Sequence, residues 1–403
     1  MKFRISRTPV RLFLCLLLAA LAVSTLPRVF AVKGKAAPRD SKTLSRQFKL
    51  ALPGYDYSFP RDHFSHPEYQ TEWWYYTGHL RSTSKGNSGK TFGYQLTFFR
   101  TSLSPEETKR ASKWATREVV FAHLALTDES NRKFYFTDKI SRAALGLAGA
   151  RSTPAAGKPD IWLDDWQMKF ETGNGDAQGN NQKLRAFGSA EDNTSFGLSL
   201  SQTAQKPLAI HGENGVSQKS EGRGRASHYY SFTRLKSKGK VRIGGVEYSV
   251  SGESWFDHEF GSNQLAQNQS GWDWFSIQLD DGRELMLYQL RLKDGQIDPY
   301  SSGTLVEKNG ATRHLKRDEF QIEVLDFWNS PRSKAKYPAR WNLKVPSENI
   351  ALQIAPTVAA QELDTKRSTR ITYWEGSVRA TGTQTGKGYV ELTGYAQEFN
   401  GTF

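Results

Sequence analysis

The 403-residue chain has one cysteine, Cys15, and three methionines. A single thiol forms no intramolecular disulfide. Because Cys15 lies inside an apolar run near the start, the rest of the chain holds neither a thiol enzyme nor a Cys-ligated metal. Stability must then come from the hydrophobic core. Long apolar runs are missing beyond the first 31 residues, as is any sustained helical apolar period, which disfavours a multi-span membrane protein and a coiled coil. No dense basic run interleaved with aromatics accompanies the net charge of +14, so nucleic acid is not an expected partner. There is no phosphate-cradling glycine loop before a helix, no nucleophile elbow around a serine and no helical i, i+4 histidine pair.

Aromatic residues are plentiful: 11 Trp, 16 Tyr and 23 Phe, 12% of the chain. Lys2, Arg4, Arg7 and Arg11 precede an apolar stretch from Leu12 to Leu26, and Val29-Phe30-Ala31 offers small residues for cleavage. This reads as a secretory signal peptide over residues 1–31, which predicts an exported, periplasmic or envelope-associated protein. That segment holds five basic and no acidic residues, so its removal leaves +9. The remaining charge is spread out and suits, at most, attachment to an anionic membrane surface. Residues 32–50 read as a basic tether.

From Thr71 onward, short segments rich in Tyr, Phe, Trp, Val and Thr alternate with Gly, Asn, Asp and Ser clusters, a strand cadence that predicts an all-β antiparallel fold. Examples are Phe92–Arg100, Val119–Thr127, Asp160–Glu171 and Val246–Phe256. Two internal similarities suggest a duplication. Trp74-Tyr75-Tyr76-Thr77-Gly78-His79-Leu80, followed by Tyr94-Gln95-Leu96, echoes Trp274-Phe275-Ser276-Ile277-Gln278-Leu279, followed by Tyr288-Gln289-Leu290. GESWFDHEFG (Gly252 to Gly261) likewise pairs with GKGYVELTGY (Gly386 to Tyr395), matching Trp255 to Tyr389 and Asp257 to Glu391. Two β units are expected, over residues 51–262 and 270–403, each large enough to curl into a barrel around a ligand cavity. Ser262 to Ser270 would link them.

Strand alternation puts Trp255, Asp257 and Glu259 on one face and Ser254, Phe256, His258 and Phe260 on the other. If the first face looks into an apolar barrel, desolvation keeps Asp257 protonated near neutral pH and makes it a proton donor. The same pattern also fits an acid that caps a turn or pairs with an arginine. His228 and Tyr230 share a face and could orient a water, or could be a cross-strand aromatic pair. His123 alternates with Val119 and Phe121, which equally suits a core histidine. Glu72, Trp74 and Tyr76 form a second carboxylate-aromatic face, to line a pocket or to pack. No metal is expected: His63, His66 and Glu68, like Asp257-His258-Glu259, lack the spacing of a known site.

The motifs PEYQTEWWYYTGHL (Pro67 to Leu80), FAHLALTD (Phe121 to Asp128), SHYYSFTRL (Ser227 to Leu235), GESWFDHEFG, GWDWFSIQL (Gly271 to Leu279) and YWEGSV (Tyr373 to Val378), in this order, resemble the carotenoid 1,2-hydratase family. This family is also called the hydroxyneurosporene synthase or AttH-like group. The resemblance implies two tandem lipocalin-like antiparallel β-barrel domains. It also implies cofactor-free addition of water to an isolated C=C bond of an isoprenoid, a hydro-lyase chemistry. It places Asp257 on the family's proton-donating Asp, with His228 and Trp255 in the surrounding pocket. In that reading Tyr230 joins His228 in orienting water or tuning the acid, and Trp74, Tyr76, His123 and Glu72 contact the substrate. Two other functions stay open: a non-catalytic carrier that hands a hydrophobic small molecule to a membrane transporter, and a glycan-binding or glycan-cleaving protein.

Overall fold

The computed structural model describes residues 47–397, except 107–110, 173–175, 177 and 264. The proposed signal segment, its cleavage point and most of the tether lie outside the described residues. Among the described residues no helix is long and apolar enough to cross a membrane.

Two antiparallel sheets run through the chain in succession. The first orders its main strands as Lys133–Arg142, Glu118–Asp128, Thr91–Ser102, Thr71–Ser82, Val246–Gly261, Ala226–Ile243, Ser195–Ala204, Asn181–Ser189 and three short strands between Ala148 and Phe170. The short strands come back against Glu118–Asp128 and Lys133–Arg142, so the sheet curls almost closed. The second sheet runs Thr312–Leu315, Ser302–Val306, Glu284–Leu292, Gln269–Leu279, Gly386–Leu392, Thr372–Gly382, Ile350–Pro356, Lys336–Val345 and Gln321–Asn329. In both sheets the first strand pairs with the last: Thr71–Ser82 with Val246–Gly261, and Gln269–Leu279 with Gly386–Leu392. These four strands are the ones that carry the repeated motifs. The expected Asp160–Glu171 strand is instead two short strands, broken at Asp164, whose φ of 53° turns the chain.

Each sheet encloses its own core. Trp74, Tyr76, Phe98, Leu124, Trp166, Tyr230 and Phe256 fill the first, and Phe275, Leu287, Trp341, Leu343 and Trp374 fill the second. A third cluster lies between the sheets, where Tyr75, Tyr229 and Trp255 of the first meet Trp274, Met286, Tyr288, Leu290 and Tyr389 of the second. The paired central strands are therefore buried on both faces, one toward their own barrel and one toward the other sheet. Gly93 lets the sheets close up, because a Cβ there would stand 2.6 Å from the Tyr389 hydroxyl and 2.7 Å from Ser377 Cβ. Polar contacts join the same faces: the Glu284 carboxylate accepts from Arg234 at 2.7 Å and from Lys206 at 2.8 Å, and the Gln278 amide donates to the Thr233 and Ser254 carbonyls.

Candidate active site between the sheets

A cavity of about 300 Å³ opens between the two sheets. Trp73, Tyr75, Phe99, Trp272, Trp274 and Tyr373 supply aromatic walls, and Leu265, Leu290 and Ile371 aliphatic ones. The carboxyl groups of Asp257, Glu259, Glu375 and Glu391 converge on it, together with Lys219 and His123. A volume at the low end of the usual range for small-molecule sites suits a compact apolar molecule or one end of a longer chain.

Asp257 is 3% exposed. Its Oδ1 accepts from the Trp255 indole N–H at 2.6 Å and from the Ser231 hydroxyl, and its Oδ2 accepts from the Tyr229 hydroxyl at 2.8 Å. The Tyr229 oxygen in turn accepts from the Trp274 indole of the second sheet at 3.2 Å. Burial raises the carboxyl and the three donors pull it back, leaving Asp257 at about 7, far above an ordinary aspartate. Among the described residues no arginine or lysine pairs with it. The nearby cation, Lys219, is committed to Glu259 at 3.3 Å and lies over the Tyr288 ring at 4.1 Å.

Two further carboxyls face Asp257 from the second sheet. Glu375 and Glu391 stand directly opposite each other on neighbouring strands. Burial and the charge of its partner raise Glu375 well above the usual range, and burial together with the charges of Asp257 and Glu259 brings Glu391 to about 7. The buried Tyr75 hydroxyl and one Glu375 carboxyl oxygen have no partner in normal hydrogen-bonding geometry.

The structure brings only some of the sequence-selected residues to this cavity. Asp257 and His123 line it, and Trp255 reaches it through its bond to Asp257. His123 is neutral, held low by burial, and bonds the hydroxyls of Tyr373 at 2.8 Å and Ser368 at 3.1 Å, both from the second sheet.

Glu72, Trp74, Tyr76, His228 and Tyr230 lie elsewhere, and this corrects the expected constellation. Asp257 does not look into the first barrel; that interior is taken by its neighbours Phe256, His258 and Phe260, and Asp257 projects from the outer face toward the second sheet. Trp74 donates to the His63 carbonyl, Tyr76 to Gln182, and His228 to the Gly215 carbonyl. The Tyr230 hydroxyl sits among His63, His258 and the Asp62 carbonyl. Glu72 is the hub of a buried network, contacted by His66 Nδ1 at 2.7 Å, His258 Nε2 at 2.9 Å, Arg100 Nε at 2.9 Å and the Ser65 hydroxyl at 3.1 Å. His66, Glu72 and His258 are close enough to chelate an ion, but their facing atoms are already spent on one another, and Arg100 balances the carboxylate. Ser231, Tyr229, Tyr75, Lys219 and Glu375 were not singled out from the sequence. Alternation marks the two faces of a strand, but only the register Tyr75↔Asp257↔Ser231 says which residues meet.

The AttH-like family model matches residues 50–395. The chain belongs to the AttH-like family. A crystallised AttH candidate of Nitrosomonas europaea is 36% identical to it, covers 86% of this chain and 99% of its own, and superposes with a TM-score of 0.74. Kievitone hydratase from Nectria haematococca is 14% identical, covers 87% of this chain and 98% of its own, and has a TM-score of 0.60, a likeness of fold. Comparison with curated proteins finds no match. The AttH-like chain is thus a pair of lipocalin-like β-barrels whose candidate site lies between them.

Proposed function

We propose that this AttH-like protein is an exported, cofactor-free hydratase acting on a hydrophobic, isoprenoid-type molecule, with Asp257 as the acid. The observation that carries the reading is a buried carboxyl at about 7, facing an aromatic cavity with no cation paired to it. Adding water to an alkene is redox-neutral and asks for little else. The alkene π electrons take the Asp257 proton and a C–H bond forms at the less substituted carbon. The tertiary carbocation left behind is sheltered by the faces of Trp73, Tyr75 and Trp274. A water oxygen then closes the C–O bond, one of its O–H bonds breaks to leave the tertiary alcohol, and the proton released restores that given up by Asp257.

Kievitone hydratase, by its name a hydratase of kievitone, supports this reading only as a protein of the same fold. Carotenoids enter as one member of the isoprenoid class, because the cavity holds one end of such a chain and not its whole length. The carrier reading needs a fully ionised Asp257, which the burial of that carboxyl opposes.

The test is turnover of a dimethylallyl phenol in H2¹⁸O. The wild-type protein should yield a tertiary alcohol bearing ¹⁸O, and Asp257→Asn should lose about a hundredfold or more in rate. Equal rates for the two proteins would sink the assignment.

A further inference from the structure

The second sheet carries an arrangement that the acid alone does not use. Glu375 and Glu391 are cross-strand neighbours in direct register, and both open on the cavity opposite Asp257. Like charges in this position normally destabilise a strand pair. Among the described residues neither forms an ion pair, although Arg379 and Lys387 lie on the same two strands and are engaged with Glu129 and Glu253. Glu375 is 2% exposed, whereas Glu391 keeps part of its surface open. The groups facing the pair are Asp257 and Glu259 from the Val246–Gly261 strand, Tyr75 from Thr71–Ser82, Tyr373 beside Glu375, and Trp272 from Gln269–Leu279. None of these is a cation. Two buried carboxyls in register, with no cation between them, disfavour each other's ionisation, and the charge of Glu391 adds to burial in raising Glu375. Beside the pair, the Tyr75 hydroxyl, 7% exposed, lines the same cavity next to the Glu375 carboxyl, and neither the hydroxyl nor one Glu375 oxygen has a partner in normal hydrogen-bonding geometry, so a small polar guest between them would complete both.

We infer that Glu375 and Glu391 form a one-proton dyad that holds the adding water and accepts its proton, so that the reacting site is completed only by both sheets. The inference rests on the hydratase reading above. The balance is closed: Asp257 gives H⁺ to the alkene, the water oxygen gives its lone pair to the cation, and one water O–H breaks with its proton passing to the ionised member of the dyad. That proton returns to Asp257 through cavity water, and no oxidant or reductant takes part. Like Glu391, Asp257 sits near neutrality, so the return costs little.

The experiment follows a dimethylallyl phenol in D2O and reads two products: the tertiary alcohol, and deuterium in the recovered alkene. Protonation followed by deprotonation gives the second without the first. The double variant Glu375→Gln, Glu391→Gln should form alcohol at least tenfold more slowly while keeping deuterium exchange within about threefold, and Asp257→Asn should lose both. Alcohol and deuterium falling together in the double variant, or neither falling, overturns the dyad. No deuterium and no alcohol with the wild-type protein overturns the hydratase reading instead. A ¹³C-carboxyl titration of the unsubstituted protein needs no variant to fold: one of the pair should ionise near neutrality and the other stay protonated well above it. Two carboxyls ionising together below pH 5 contradict the dyad.

Discussion

Tyr75 stands directly opposite Asp257 on the neighbouring strand, while Tyr76, one residue on, stands opposite Phe256. That single-residue alternation assigns Tyr75 and Asp257 to the layer between the sheets, and Tyr76 and Phe256 to the first barrel's core. Chemistry and packing are thus divided between the two faces of the same pair of strands.

The buried acid makes stability depend on pH in a definite direction. Asp257 ionises near 7 in the folded chain and near 3.8 in an ordinary environment, so the folded state binds the extra proton between those values. Its contribution is complete below about pH 4 and is lost as pH rises toward 7. Asn in the protonated acid's place can accept from Trp255 and Ser231 and donate to the Tyr229 oxygen. Asp257→Asn should therefore match the wild type near pH 4 and exceed it above pH 7, by at most roughly 4 kcal/mol. Thermal unfolding against pH checks this; a variant less stable at pH 8 than at pH 4, relative to wild type, would oppose it.

The donors around Asp257 set how readily it gives up its proton. Hydrogen bonds from Tyr229 and Ser231 favour the ionised form, so Tyr229→Phe and Ser231→Ala should each move the Asp257 midpoint upward by about one pH unit. A pH–rate profile shifted upward in both variants is the expected result. An unchanged or downward-shifted profile would count against these roles.

Glu72 acts on stability. Its removal leaves buried Arg100 with only the partly exposed Glu118 at 3.2 Å as a carboxylate partner, and His66, whose proton is favoured by Glu72 and Asp62, loses one of two acidic neighbours. Glu72→Ala should cost about 3–5 kcal/mol in denaturant unfolding. A cost below about 1 kcal/mol would show that the network is not held as described.

His228 and Tyr230 face away from the cavity. His228→Asn and Tyr230→Phe should leave turnover within about threefold, even though Tyr230→Phe takes about 1–3 kcal/mol from the folded state by stranding its polar neighbours. A hundredfold loss in kcat from either would restore them to the reacting site.

Much of the fold was legible in the sequence. Strand cadence predicted an all-β chain, and the pairing of Trp255 with Tyr389 and of Asp257 with Glu391 foretold that the second sheet would repeat the first. Alternation also separated Asp257 from Phe256 and His258. The destination of each face stayed hidden, because it depends on the register between strands far apart in sequence and on a second sheet covering the outer face of the first. For that reason the sequence alone favours His228 over Tyr229 and Tyr76 over Tyr75, and gives no sign of Lys219. Glu375 escaped because its meaning comes from the residue across from it, Glu391, sixteen positions later.

The most direct test of the account is the ionisation of Asp257 itself, followed by the ¹³Cγ shift of aspartate-labelled protein and assigned by its absence from Asp257→Asn. A midpoint close to 7 is the predicted result. A midpoint near 4 would mean a carboxylate fully charged at neutral pH, and the cavity between the sheets would then have no acid to give.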